Sequence, residues 1–218
     1  MLYYLDIFGT IIFAVTGTFK AIRYELDILG VFTLAVMTGV GGGIFRDLLL
    51  GDTPPASFRD ETYFFACIAA GLVTVLLASK IARVWKFVKI FDAVGLGVFT
   101  AIGAAKGMDF GLGFVGVLLT GAITATGGGM IRDILVREIP SVISRDFYAT
   151  ASFLGSAALV VASYAGAGRT TQLAAAVILT TLVRLTAMKT GLSLPKVRRI
   201  PGFRGSLSDG PSGRLPRK

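Results

Sequence analysis

The chain has 218 residues, of which 54% are hydrophobic and only 16% charged, and its formal net charge is +9. A soluble domain carries about 25% charged residues, so a mean hydropathy of +0.74 excludes an ordinary soluble core and points to a multi-span helical membrane protein. The absence of histidine excludes imidazole acid–base chemistry and histidine metal sites. The single cysteine, Cys67, excludes an intramolecular disulfide or a thiolate cluster.

A spanning helix needs roughly 20 mostly apolar residues. Seven segments qualify, at about 5–22, 28–50, 62–79, 90–107, 112–136, 147–165 and 170–188. Cys67 lies in the third, where a small buried packing residue is the expected role. The first apolar run ends at Lys20 without a small-residue cleavage pattern, so no cleavable leader is expected. The segment from 189 to 218 is rich in Pro, Gly and basic residues and reads as a disordered tail.

Basic residues near span ends set the orientation. With the N-terminus outside, the inner face receives Lys20, Arg23, Lys80, Arg83, Lys86, Lys89, Arg132, Arg137, Arg145 and the whole basic tail. The outer face receives only Arg46, Arg59, Lys106 and Arg169, while Arg184 falls within the last span. The predicted orientation is therefore N-terminus out, C-terminus in. The tail's expected partners are anionic lipid headgroups rather than nucleic acid.

The chain repeats itself at an offset of 86 residues, with 18 identities in the 55 positions that align 6–60 with 92–146. Asp6 matches Asp92, Lys20 matches Lys106, Thr38 matches Thr124, and GGGIFRD at 41–47 matches GGGMIRD at 127–133. Shared apolar composition does not place Lys, Arg, Asp and Pro in register. Three spans per copy, an odd number, turn the second copy upside down. The predicted organisation is a three-helix repeat at 1–80, an inverted repeat at 81–166, a seventh helix at 167–189 and a basic cytoplasmic tail at 190–218.

Gly41–Gly43 and Gly127–Gly129 fall inside the second and fifth spans. Each glycine costs a helix about 1 kcal/mol relative to alanine. Two readings follow: tight packing of small residues, or a paired break whose freed backbone lines a path. Arg46-Asp47 and Arg132-Asp133 come within about a turn of each triplet. Adjacent helical residues point about 100° apart, so each charge is expected to pair with another helix rather than with its neighbour. Such groups face the bundle interior or water, with interfacial anchoring as the alternative. Asp6 and Asp92 are expected to cap the first and fourth spans or to act as vestibule carboxylates. Lys20 and Lys106 are expected to snorkel from the span ends, with gating or lipid contact as the other roles. Thr38 and Thr124 are candidate pore hydroxyls, although mid-span Thr commonly bonds back to its own helix.

Two copies of GGGxxRD, each preceded by an Asp-x-x-Gly…Phe span and a Lys, together with a seventh span, resemble the trimeric intracellular cation (TRIC) channels. The resemblance covers about residues 1–188, and the basic tail resembles the prokaryotic branch. It implies a homotrimer with one pore per subunit, bounded by helices kinked at Gly41–Gly43 and Gly127–Gly129 and conducting monovalent cations, chiefly potassium. It also implies a multi-pass prokaryotic plasma-membrane protein without a cofactor, with potassium or sodium as the permeant ion. The same domain is associated with small amino acid (glycine) transport in bacteria. Three functions therefore compete. A potassium-permeable channel would use carbonyls, hydroxyls and mouth carboxylates. A glycine carrier would use Arg46 or Arg132 for the substrate carboxylate. A structural protein would transport nothing. An enzyme is not expected, because no nucleophile–base or metal-ligand set is recognisable.

Overall fold

A computed structural model describes residues 1–78, 84–144 and 147–191, and all described elements are helical. They are α1 (Leu2–Arg23), α2 (Ile28–Leu50), α3 (Ala56–Arg59), α4 (Thr62–Ala78), α5 (Val84–Asp109), α6 (Phe114–Leu135), α7 (Ser141–Ser144), α8 (Ala149–Tyr164) and α9 (Arg169–Thr190). The basic tail beyond 191, Arg145 and the 79–83 link lie outside the described residues. The seven longer helices match the expected segments. The two four-residue helices α3 and α7 carry no apolar run to signal them, and they occupy equivalent places after the two RD motifs.

Local chemistry explains several boundaries. The Asp27 side chain caps α2 by accepting from Gly30 N at 2.7 Å. Gly51 ends α2 at φ +72° and Gly191 ends α9 at φ +67°, a left-handed conformation that glycine adopts without a Cβ penalty. Five helices, α1, α2, α5, α6 and α9, are long and apolar enough to cross a membrane. Helices α4, with 17 residues, and α8, with 16, are apolar but shorter. The chain is thus an all-helical polytopic membrane protein. Leu, Phe and Val side chains such as Leu48, Phe65, Leu76, Val161 and Leu182 remain exposed on its flanks, as a lipid-facing surface requires.

At the centre α1 packs on α5 and α2 packs on α6, with α4 against α1 and α8 against α5 and α6. The middle of the bundle is closed by Ile12, Phe13, Leu96, Phe99 and Tyr148, all buried. The Phe13 and Phe99 rings lie 4.9 Å apart. Helix α9 packs on α5 and α8 and, among the described residues, has no counterpart beside α1 and α4.

Two expectations are corrected by this packing. Asp6 and Asp92 do not cap helices: α1 begins at Leu2 and α5 at Val84, so both carboxylates lie inside the helices and are buried. Apolar residues upstream extend each helix past the aspartate. Nor is the backbone broken at the triplets, since α2 and α6 run through Gly41–Gly43 and Gly127–Gly129 as continuous helix. The glycines instead let the two backbones touch. A Cβ added at Gly42 would lie 2.2 Å from Thr124 O, and one at Gly128 would lie 2.1 Å from Thr38 O. No side chain fits between helices that cross this closely.

Candidate functional site

Each glycine triplet is followed, three residues on, by Arg-Asp, so the charges sit one turn beyond the α2–α6 crossing. Two buried charge clusters result. In the first, Arg46 Nε donates to Asp47 Oδ1 at 2.7 Å, and Arg46 Nη2 approaches Asp6 Oδ2 at 3.9 Å. Lys106 Nζ bridges Asp47 Oδ1 at 2.7 Å and Asp52 Oδ2 at 2.5 Å. Arg59 Nη2 reaches Asp52 Oδ1 at 2.7 Å. Ala56 N donates to Asp47 Oδ2 at 2.9 Å, and Tyr63 OH donates to Asp6 Oδ2 at 3.2 Å.

The second cluster repeats this with the copies exchanged. Arg132 Nε donates to Asp133 Oδ1 at 3.0 Å, and Arg132 Nη1 reaches Asp92 Oδ1 at 3.1 Å. Lys20 Nζ bridges Asp133 Oδ1 at 2.8 Å and Glu138 Oε2 at 2.6 Å, while Tyr24 OH donates to Glu138. Ser141 N donates to Asp133 Oδ2 at 2.9 Å. Each lysine therefore serves the aspartate of the other copy. Asp6 and Lys20 lie about 21 Å apart along α1 at 1.5 Å per residue, so the clusters occupy opposite ends of the bundle.

Each cluster borders a cavity. The first is lined by Asp6, Thr10, Gly43, Arg46, Ser57 and Tyr63 among others, the second by Lys20, Lys89, Asp92, Arg132 and Ser141 among others. Between them lies the glycine crossing. Thr38 Oγ1 donates to Leu34 O at 2.5 Å and Thr124 Oγ1 to Thr120 O at 2.6 Å, so both hydroxyls are turned to their own helices. Among the described residues no group of three or more carboxylates or thiols could hold a metal ion.

Outside the spans, the Lys106 and Arg59 hydrogen bonds hold the Asp52 carboxyl below the usual carboxylate range. Burial pushes Glu138 upward, but hydrogen bonds from Lys20 and Tyr24 outweigh it and leave its carboxyl depressed.

The structure brings together Asp6, Arg46 and Asp47 with Lys106, and Asp92, Arg132 and Asp133 with Lys20. Two more expectations change. Arg46 and Asp47, and likewise Arg132 and Asp133, do pair side to side, because the long arginine folds back so that Nε meets the adjacent carboxylate. Lys20 is 3% exposed and does not snorkel, since two carboxylates hold its ammonium inside. Sequence reasoning missed Asp52 and Glu138, which occupy equivalent positions but differ in type and so escape a search for identities. It also missed Tyr63 and Tyr148, which carry no matching signal, and left Arg184 without a role. The Arg184 guanidinium lies 4.8 Å from the centroid of the Tyr148 ring.

The family model described as "Glycine transporter" matches residues 3–79 and 89–164. A membrane protein of Vibrio cholerae, described as "UPF0126 membrane protein", is 39% identical over 196 residues, covering 89% of this chain and 82% of its own. The inner membrane protein YadS of Escherichia coli K12 is 36% identical, with 89% and 95% covered. Among solved structures, a "TRIC trimeric intracellular cation channel orthologue from Rhodobacter sphaeroides" superposes with TM-score 0.84 at 39% identity, covering 88% of this chain and 98% of the other. A structure described under "conductance through TRIC cation channels" gives TM-score 0.83 at 35% identity, with 90% and 97% covered.

Proposed function

Because the chain belongs to the family described as "Glycine transporter" and to the prokaryotic TRIC channels, we propose that it is a potassium-permeable monovalent cation channel with one pore per subunit. The observation that carries this reading is the likeness to solved TRIC channel structures over nearly the whole described chain. The path runs between the two cavities along α2 and α6. It passes the crossing formed by Gly41–Gly43, Gly127–Gly129, Thr38 and Thr124, with those helices bent rather than unwound when the path opens. Asp6, Arg46 and Asp47 flank one mouth, and Asp92, Arg132 and Asp133 flank the other, where carboxylates concentrate cations. Lys20 and Lys106 gate by holding or releasing the opposite copy's aspartate. Potassium or sodium is the permeant ion, and no cofactor takes part.

The reciprocal pairs Lys20–Asp133 and Lys106–Asp47 support an inverted repeat. A contact of one copy on the other and its exchanged twin are what a pseudo-two-fold axis generates. In this reading 1–80 and 81–166 are the two repeats, 167–189 is the seventh span and 190–218 is the cytoplasmic tail. All seven longer helices cross the membrane, with the bilayer thinning around the shorter α4 and α8. The chain assembles as a homotrimer in the bacterial plasma membrane, N-terminus outside, with anionic lipid at its basic inner face.

A planar-bilayer recording of the purified trimer in asymmetric KCl tests the reading. Discrete steps reversing near the potassium potential are expected, and a silent bilayer under all voltages overturns it. The second reading, a carrier of glycine or another small amino acid, is favoured by the description of the matching family model. Saturable glycine uptake into proteoliposomes without single-channel current is its signature.

A further inference from the structure

The two ends of the bundle are built from equivalent residues, yet they are not equally closed. The cavity at Arg46 is also lined by Gly43, the last glycine of the first triplet, and by Phe99 of the central cluster. It therefore reaches the crossing. A Cβ added at Gly43 would meet only Arg46 Nη2, at 3.7 Å. The cavity at Arg132 stops short. Among the described residues its lining takes in Arg132 and Asp92 but none of Gly127–Gly129.

One side chain makes the difference. Tyr148 directly precedes α8 and is 2% exposed. A Cβ added at Gly129, the equivalent of Gly43, would lie 3.3 Å from the Tyr148 hydroxyl and 3.7 Å from Arg132 Nη2. The hydroxyl thus stands against the last glycine of the second triplet, beside the arginine that lines the cavity. The ring belongs to the same buried cluster as Phe13 and Phe99. In the first copy the equivalent residue is Thr62, which is exposed. Its neighbour Tyr63 turns its hydroxyl to Asp6 at 3.2 Å instead.

The group that holds Tyr148 comes from α9. The Arg184 guanidinium lies 4.8 Å from the ring centroid, and Arg184 is 3% exposed. A cation over an aromatic face is attracted by the ring quadrupole, more strongly where water is excluded. Met188, about one turn along α9 from Arg184, lines the Arg132 cavity. The seventh long helix, without a counterpart among the described residues, thus holds the side chain that distinguishes the two ends.

We propose that Tyr148 is the barrier that closes the path at its second mouth, and that Arg184 is the residue that positions it. The proposal rests on the path proposed above between the two cavities. Opening at this end requires the ring to leave Gly129, and Arg184 sets how readily it does so. The two ends therefore open unequally, the first being clear as far as Phe99.

Silver-ion capture by a single cysteine tests this without a current. Ala125 lies in the same buried cluster as Tyr148. Ala125→Cys in a Cys67→Ala background places one thiol there, in the full-length protein in lipid nanodiscs. Silver nitrate in chloride-free buffer supplies a soft monovalent cation that binds thiols. A fluorescent maleimide added after denaturation counts the thiols still free. Tyr148→Ala should speed capture by about tenfold or more, and Arg184→Gln should speed it severalfold, because each frees a local opening. Arg184→Lys keeps a cation over the ring and should restore slow capture. Leu159→Ala truncates another fully buried side chain of α8, in a separate cluster, and should leave capture unchanged. Unchanged capture in folded Tyr148→Ala overturns the barrier, as does equal acceleration by Leu159→Ala. Unchanged capture in Arg184→Gln, or acceleration that Arg184→Lys does not reverse, overturns the role of Arg184. If Tyr148→Ala does not fold, Tyr148→Leu, which keeps an apolar side chain too short to reach Gly129, decides in its place. Capture is read without current, so failure of this proposal is separate from a failure of conduction.

Discussion

Lys20 Nζ lies 2.8 Å from Asp133 Oδ1, and the equivalent Lys106 Nζ lies 2.7 Å from the equivalent Asp47 Oδ1. Each repeat thus supplies a second counter-ion for the other's buried aspartate. Each aspartate also meets the adjacent arginine of its own copy, so the lysine pairs add a tie between the two copies. Removing one partner of such a pair strands the other in a poorly solvated site.

Lys20→Met should therefore destabilise the protein by about 1–3 kcal/mol, below the roughly 3–5 typical of breaking a buried pair, because Arg132 and Ser141 N still serve Asp133. The double variant Lys20→Met/Asp133→Asn should recover part of the loss. Thermal unfolding in detergent, followed by loss of the oligomer, measures both. Additive losses in the double variant would contradict direct coupling.

Neighbouring glycines of one triplet should behave differently. A Cβ at Gly42 would lie 2.2 Å from Thr124 O, whereas one at Gly43 meets only Arg46 Nη2 at 3.7 Å. Gly42→Ala should cost about 1–3 kcal/mol through overpacking, and Gly128→Ala the same by symmetry. Gly43→Ala should melt near the parent temperature.

Thr38→Val and Thr124→Val should leave unitary conductance within about twofold of the parent, because both hydroxyls bond to carbonyls of their own helices. A large drop in current from either variant would show that these hydroxyls turn into the path when it opens.

Stability should fall on acidification through Asp52 and Glu138. Both carboxyls are depressed in the folded protein: Asp52 by Lys106 and Arg59, and Glu138 by Lys20 and Tyr24 against the opposing effect of burial. A depressed group contributes fully above its unfolded pKa, about 3.9 for Asp and 4.3 for Glu. That contribution is lost as pH falls from there through the lower folded value. Melting temperature should hold steady from about pH 7 to about pH 4.5 and then drop. Asp52→Asn should melt lower at neutral pH and lose less on acidification.

Much of the architecture was legible in the residues themselves. Apolar runs of about spanning length marked the helices, because a bilayer leaves a backbone no partner outside its own helix. The offset of 86 showed the duplication, because Lys, Arg, Asp and Pro recur only in register. The same motifs pointed to the family. Three things were decided only by tertiary structure. The glycine triplets support a backbone contact between continuous helices, since whether a missing Cβ permits a break or a close approach depends on what packs opposite. Asp6 and Asp92 became buried ion-pair members because each helix starts earlier than charge alone suggested. Among the described residues Arg46 Nη1 has no hydrogen-bond partner, because Ile102 stands where the other repeat has Thr16. That difference between equivalent residues acquires meaning only when both are packed against a guanidinium, because hydrogen-bond satisfaction belongs to the assembled neighbourhood and not to any segment of the chain.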